Sequence, residues 1–214
     1  MLAKTLVHIG SGNASMEGML ELPHDPLGVV LFAHGSGSSR LSPRNNYVAR
    51  VLREAGIGSL LLDLLTTEED RFYDTRFDIS LLTRRLHGAA DWLSGQEATA
   101  GLPLGLFGAS TGAAAALQLA ATPIVPVKAV VSRGGRPDLA GADALRAVSA
   151  PTLLIVGGDD HDVVALNRQA LALLNCEKDL VIVAGAGHLF EEPGSLEEVA
   201  RLAGEWFAGH FARG

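Results

Sequence analysis

A serine lies between two glycines at the point where a predicted strand passes into a predicted helix. The pentapeptide GASTG at 108–112 follows the apolar segment 104–107 and precedes the alanine-rich segment 113–120. A serine on so tight a turn projects its hydroxyl away from the backbone, and the glycines avoid collisions with the helix and the strand. The helix start adds free N–H groups and a partial positive charge that can bind an oxyanion. The pattern predicts a nucleophilic Ser110, with the backbone N–H of Thr111 as an oxyanion donor.

Two later loops contain the acid and the histidine that a serine nucleophile needs. A serine hydroxyl becomes reactive when a base removes its proton and a third group orients that base. The turn GGDDHDV at 157–163 follows one predicted strand, and His188 lies in a glycine-rich turn after another. In a parallel sheet these loops meet at the carboxyl edge. The chain order serine, acid, histidine predicts Ser110 as nucleophile and His188 as its base.

Three aspartates in the acidic turn are candidates for the orienting acid. Asp160 lies midway between the strand end and the helix start, and Asp159 is the second candidate. Asp162 directly precedes the predicted helix 163–174, so we expect it to be the N-cap of that helix. Without His188 downstream, an exposed acidic turn would be the better interpretation.

A loop of small residues, HGSGSS at 34–39, follows an early buried strand. Small side chains let the backbone approach a substrate, so an N–H of Ser36 or Gly37 can join that of Thr111 in an oxyanion hole. A phosphate-binding loop is the alternative, but it would need a lysine that is absent here. We expect His34 to orient the loop by hydrogen bonding rather than to act as a second base.

Four arginines follow predicted strand ends and could form a positive rim that selects an anionic substrate group. They are Arg40, Arg44, Arg133 and Arg136. The candidate substrate contacts are Gly37, Arg40 and Arg133. The competing interpretation, which we favour, is that the arginines form salt bridges with acids such as Asp63, Asp138 and Glu191.

Apolar segments alternate with amphipathic ones almost from end to end, which predicts an α/β fold with a mostly parallel sheet. The predicted strands are 4–9, 16–22, 28–33, 59–62, 104–107, 128–131, 152–156 and 180–183. The first two are expected to form an antiparallel hairpin. The predicted helices are 43–55, 79–94, 113–120, 163–174 and a last one after Gly194, where Ser195 and Glu198 have capping-box spacing. The segment from 63 to Asp78 is expected to be a polar loop.

Composition indicates one globular domain over residues 1–214, with 48% hydrophobic and 19% charged residues. The net charge of −7 without a basic stripe argues against nucleic acid and anionic membranes as partners. No apolar stretch approaches membrane-spanning length, no leader is expected, and a single cysteine points to a reducing compartment. We therefore expect a cytoplasmic monomer or homodimer that acts on a small-molecule ester without a metal or other cofactor.

These motifs resemble those of the α/β-hydrolase superfamily, and within it the small, lidless dienelactone hydrolase-like group. The resemblance covers essentially the whole chain and rests on four motifs, namely 34–37, 108–112, 157–163 and Gly187-His188. It implies an α/β-hydrolase fold with a mostly parallel eight-stranded sheet, flanking helices and no cap domain. It also implies Ser110 as nucleophile, His188 as base and Asp160 as the acid that orients the base.

One feature departs from the family pattern. Dienelactone hydrolases have a cysteine in the elbow, whereas this chain has Ser110, which favours ordinary short-chain carboxylic esters as substrates. About twenty residues separate Val131 from the next predicted strand, too few for a helical cap. The expected reaction is ester hydrolysis through an acyl-enzyme. The alternatives are lactone hydrolysis, thioester cleavage or acyl transfer with the same triad, and a non-catalytic ligand-binding protein.

Overall fold

The computed structural model describes residues 3–12 and 14–212, whose strands form one eight-stranded sheet in the order β1-β2-β4-β3-β5-β6-β7-β8. The strands are β1 (Ala3–Ser11), β2 (Ala14–Leu22), β3 (Val29–Ala33), β4 (Gly58–Leu62), β5 (Leu104–Ala109), β6 (Val127–Arg133), β7 (Thr152–Gly157) and β8 (Lys178–Val183). β1 pairs antiparallel with β2 and β2 antiparallel with β4, and all other pairs are parallel. The α/β-hydrolase fold and the opening hairpin are therefore confirmed.

Seven α-helices of the described chain flank this sheet. They are α1 (Pro43–Glu54), α2 (Tyr73–Arg76), α3 (Ile79–Ser94), α4 (Thr111–Ala120), α5 (Ala142–Ala147), α6 (His161–Leu173) and α7 (Ser195–Phe211). Among the helices that the structure describes, none combines the length and the apolar character that a membrane crossing requires.

The parallel strands are apolar throughout because both faces of the sheet are covered. Successive side chains of a strand point to opposite faces. In β3, Leu31 belongs to the core that contains Leu86 of α3, whereas Phe32 belongs to the core that contains Leu52 of α1. Helices α3 and α4 thus cover one face, and α1 and α7 cover the other.

The six strands β3 to β8 point the same way, so their carboxyl ends share one edge of the sheet, here called the carboxyl edge. Their first residues lie at the opposite, amino edge. The connection between β6 and β7, residues 134–151, contains a short 3-10 turn (Pro137–Ala140) and the six-residue α5. This connection is too short for a cap, and among residues 3–12 and 14–212 no inserted helical cap covers the carboxyl edge.

Candidate active site

Ser110 occupies a sharp turn between β5 and α4, with φ of 51° and ψ of −121°. A non-glycine residue at positive φ is strained, at about 1–3 kcal/mol, and persists where the surroundings hold it. Backbone bonds hold it here: Ser110 N–H donates to the carbonyl of Arg133 at 3.3 Å, and Arg136 N–H donates to the carbonyl of Ser110 at 3.0 Å. The turn is therefore anchored to β6 and the loop after it.

The glycines on either side of this turn are required by close approach. A Cβ on Gly108 would collide with the backbone of Ala113, and one on Gly112 would collide with the carbonyl of Ala33. The start of α4 therefore lies directly against the ends of β3 and β5.

His188 is held by Asp160, across the ends of β7 and β8. Nδ1 of His188 donates to Oδ2 of Asp160 at 2.6 Å, and the two side chains are 39% and 18% exposed. This bond leaves Nε2 of the imidazole available. Gly134 links the two side chains in the structure. A Cβ on Gly134 would lie 3.6 Å from Cε1 of His188, and the residue before it, Arg133, accepts the N–H of Ser110. Among residues 3–12 and 14–212, Oγ of Ser110 makes no hydrogen bond. Hydrogen bonds between catalytic groups are commonly long without substrate and shorten when substrate binds.

Asp160 is the aspartate of the acidic turn that contacts His188, and the prediction that Asp162 caps the following helix is wrong. Helix α6 begins at His161, two residues earlier than predicted, and Asp162 lies in its first turn. The N-cap position belongs to Asp160, whose side chain makes no capping bond. Its carboxylate is bonded to the imidazole of His188 instead.

The turn that carries His188 is packed against the end of β7. A Cβ on Gly157 would collide with the carbonyls of Ala186 and Gly187, so only glycine lets the turn lie this close. Phe190 anchors the far side of the turn, with φ of 55° and a side chain that is 1% exposed. The position of the imidazole is thus fixed by packing on both sides.

The loop after β3 approaches Ser110 as predicted. A Cβ on Gly35 would lie 3.0 Å from Cβ of Ser110. His34 is buried, and its Nε2 accepts the N–H of Leu64 at 3.0 Å, so the ring proton is on Nδ1 and is donated to the carbonyl of Gly35 at 2.9 Å. Burial lowers the pKa of His34, which keeps the ring neutral. His34 therefore orients this loop, which contains Ser36 and Gly37.

The interpretation that the rim arginines form salt bridges is confirmed for three of the four. The pairs are Arg40–Asp63 at 2.8 Å, Arg44–Glu191 at 3.2 Å and Arg136–Asp138 at 2.7 Å. Arg40 also pairs with Glu17 at 2.6 Å, so its guanidinium is committed to two carboxylates.

Arg133 differs from the other three arginines because, within the part of the chain that the structure describes, it has no carboxylate partner. It is 7% exposed, and its Nη2 donates to Oδ1 of Asn45 at 3.4 Å. Its guanidinium lies 6.0 Å from the centre of the Phe190 ring, and its Nε has no hydrogen-bond partner. Burial, and to a lesser extent the charge of Arg44, lowers the pKa of Arg133 to about 10. An uncompensated positive charge therefore lies beside the His188 turn.

Sequence reasoning missed Arg76, which reaches the loop after β3 from the segment after β4. Its Nη1 would be 3.7 Å from a Cβ on Gly37, and its Nε donates to Asp70 at 3.0 Å. The segment carries three exposed aromatic side chains, Phe72, Tyr73 and Phe77. The available signal was an arginine among aromatic residues just after a parallel strand.

No family model matches the chain. Two Mycobacterium tuberculosis proteins, from strains CDC 1551 and H37Rv and provisionally named phosphoribosyl transferases, are each 57% identical over 204 residues. The match covers 95% of this chain and 46% of each relative. The chain thus spans about half the length of the curated relatives it matches.

Solved structures resemble the chain over nearly its full length. Est1E from Butyrivibrio proteoclasticus has a TM-score of 0.82 over 97% of this chain and 99% of that one, and its 14% identity supports the fold alone. A dienelactone hydrolase from Anabaena variabilis has a TM-score of 0.93, with 54% identity and 98% of both chains covered. With more than half of its residues shared over nearly all of that protein, this chain belongs to the dienelactone hydrolase-like α/β-hydrolase family.

Proposed function

We propose that the chain hydrolyses small carboxylic esters through a covalent acyl-enzyme on Ser110. The observation that carries this proposal is the 2.6 Å bond between His188 and Asp160, at the same edge of the sheet as a strained serine. An imidazole oriented by a carboxylate, at the same edge of the sheet as a half-buried serine on a strained turn, supports nucleophilic catalysis.

In the first step, Nε2 of His188 takes the proton of Ser110 as Oγ attacks the ester carbonyl. The carbonyl oxygen gains a negative charge, which the backbone N–H groups of Thr111 and Ser36 stabilise. When the tetrahedral intermediate collapses, the C–O bond to the alcohol breaks, and the alcohol leaves with the proton from His188. Asp160 fixes the tautomer of the imidazole and stabilises the imidazolium that forms.

In the second step, water replaces the alcohol. His188 takes a proton from water as the water oxygen attacks the acyl carbonyl, and the acid product departs when the bond to Oγ of Ser110 breaks. The proton on His188 then returns to Oγ of the serine. Because a protonated imidazole accepts no proton, the rate is expected to fall in acid.

The open carboxyl edge favours small substrates, and the loop around Gly37 is the proposed contact for the group being attacked. Of the two arginines predicted to bind substrate, Arg133 is the better candidate, because Arg40 already pairs with two acids. We propose that Arg133 favours substrates that carry a negative charge.

Replacement of the nucleophile tests the proposal. Ser110→Ala is expected to lower kcat/KM for p-nitrophenyl butyrate by at least about 10³-fold, with an unchanged melting temperature. The matched control is Ser149→Ala, since Ser149 is exposed and lies just before β7, at the amino edge of the sheet. A fluorophosphonate probe should label the wild type at Ser110 and leave Ser110→Ala unlabelled. Residual hydrolysis equal to that of the wild type would remove Ser110 from its role, and absence of labelling would favour a non-catalytic protein.

Lactone hydrolysis is the second candidate, because a dienelactone hydrolase shares 54% of its residues with this chain. The chemistry would be the same, except that the alcohol and the acid remain in one molecule. The ratio of kcat/KM for a dienelactone to that for an open-chain ester of equal carbon number separates the two. Added alcohol or thiol acceptors would reveal acyl transfer through a second product.

A further inference from the structure

A cavity of about 560 Å³ lies at the amino edge of the sheet, where β3, β5 and β6 begin. Its walls are the end of α3, the loop 99–104 and the segment 124–128. This volume falls in the range typical of small-molecule sites, roughly 300–1,000 Å³. Strands of five to seven residues separate the cavity from the carboxyl edge, so it is distinct from the site around Ser110.

The interior of the cavity is apolar. Its lining includes Val29, Leu93, Leu102, Leu104, Ile124 and Val125. Ile124 is 73% exposed, which is unusual for a large aliphatic side chain unless something covers it. An alkyl or aryl group in this cavity would be removed from water on several sides.

The end of α3 offers the cavity few free hydrogen-bond acceptors, because its last carbonyls are already bonded. The carbonyl of Asp91 accepts from Oγ of Ser94 and from the N–H of Gly95. The carbonyl of Leu93 accepts from Oγ1 of Thr99. A ligand whose polar group is a donor would therefore find little to bond at this helix end.

The charged groups that line the cavity are Asp91 and Lys128. The carboxylate of Asp91 is mostly exposed and lies 3.6 Å from Nε2 of His87, which is too far for a hydrogen bond. Lys128 is exposed, and across residues 3–12 and 14–212 no hydrogen bond or ion pair to its ammonium group is present. Lys128 is thus a cation at this cavity that no carboxylate of the described residues pairs with, and Asp91 lies on the α3 side of the same cavity.

We propose that this cavity binds an apolar monocarboxylate of medium chain length, with the alkyl chain in the cavity and the carboxylate against Lys128. The apolar walls match the chain, and one unpaired ammonium matches one carboxylate. This site is independent of the proposed ester hydrolysis. A carboxylic acid is also a product of that reaction, so the test must separate the two locations.

Calorimetric titration of the Ser110→Ala protein with hexanoate, octanoate and decanoate tests the site, with octanol as a neutral ligand. Each added methylene should tighten binding by up to about fourfold. Lys128→Gln should weaken octanoate by about two- to fivefold and leave octanol unchanged. Ile124→Ser should weaken both ligands. Both variants change exposed side chains, so the fold should persist, and Lys4→Gln is the matched control.

The same titration on wild type whose Ser110 carries a phosphonate excludes the hydrolytic site. Unchanged octanoate binding supports the proposal, whereas loss of binding places the acid at the carboxyl edge and overturns it. No measurable heat at millimolar octanoate, or an equal affinity for octanoate in wild type and Lys128→Gln, would also overturn it.

Discussion

The carboxylate of Asp160 lies at the N-cap of α6, where an aspartate commonly accepts bonds from the first N–H groups of a helix. Here it makes no capping bond and accepts the Nδ1 proton of His188 instead. A missing cap costs a helix about 1 kcal/mol. The carboxylate of Asp160 therefore orients the imidazole of His188 and does not stabilise the start of α6.

Asp160→Asn tests this assignment. An asparagine amide can donate to Nδ1, which leaves the imidazole proton on Nε2. A protonated Nε2 cannot accept the proton of Ser110. We expect kcat to fall by about 10³–10⁴-fold, with little change in KM or in melting temperature. Steady-state kinetics with p-nitrophenyl butyrate and thermal unfolding provide the measurements.

Asp159→Asn is the control, because Asp159 is the exposed neighbour that also remained a candidate. It should keep the wild-type kcat. The assignment is wrong if the Asp159 variant loses activity while the Asp160 variant keeps it.

Three of the acids that pair with the arginines could be predicted from the sequence, because they lie close to strand ends at the same edge, whereas Glu17 on β2 could not. Asp63, Asp138 and Glu191 are the observed partners. The isolation of Arg133 could not be predicted. It depends on where α1 places Asn45 and on the packing of the His188 turn, and neither follows from local sequence.

The loop after β3 is held by a neutral histidine in the interior. Burial lowers the pKa of His34 from its usual 6.5, so the unfolded chain binds more protons at this residue than the folded protein in mildly acidic solution. The stabilisation that follows is fully present above pH 6.5 and declines as the pH falls below that value. Protonation would also remove the acceptor for the N–H of Leu64.

We therefore expect the free energy of unfolding of the wild type to decrease between pH 6.5 and 5. His34→Gln should show a shallower decrease, because glutamine does not titrate in this range. Urea unfolding at a series of pH values measures both slopes. His8→Gln serves as the control, since His8 is exposed on β1 and should leave the slope unchanged. Equal slopes in wild type and His34→Gln would contradict the role given to burial.

Among the elements, the strands could be predicted from their apolar segments, but the start of α6 and the cap of α7 could not. Helix α6 begins at His161, before the predicted start. The predicted capping box at Ser195 is wrong, because the N-cap of α7 is Gly194 at φ of 82°, with no side-chain cap. Helix α2 was expected to be loop, since its four residues carry no apolar periodicity. Helix ends depend on the turns that precede them, and tertiary contacts fix those turns.

At the scale of the molecule, no cap covers the carboxyl edge within the described residues, so the acyl group of a substrate is expected to lie in an open site. A long alkyl chain would remain in water there and gain little from binding. We expect kcat/KM to be highest for p-nitrophenyl acetate and butyrate and lower for octanoate and palmitate esters, with no increase when the substrate forms micelles. A preference for the palmitate ester would contradict the open site.

The same panel tests the charge of Arg133. The hemisuccinate ester resembles the butyrate ester in size but carries a carboxylate, so it should be the better substrate of the wild type. Arg133→Gln should lose this preference, whereas Arg136→Gln should keep it because Arg136 is paired with Asp138. Equal rates for both esters in the wild type would leave Arg133 a purely structural role.

The proposed base follows β8, which pairs only with β7 and lies at the margin of the sheet with its side chains partly in water. Marginal strands detach at lower free energy than central ones, so local fraying would displace His188 before the centre of the molecule opens. Loss of the proposed activity on heating would then report the detachment of one strand, at a temperature where most of the backbone is still native.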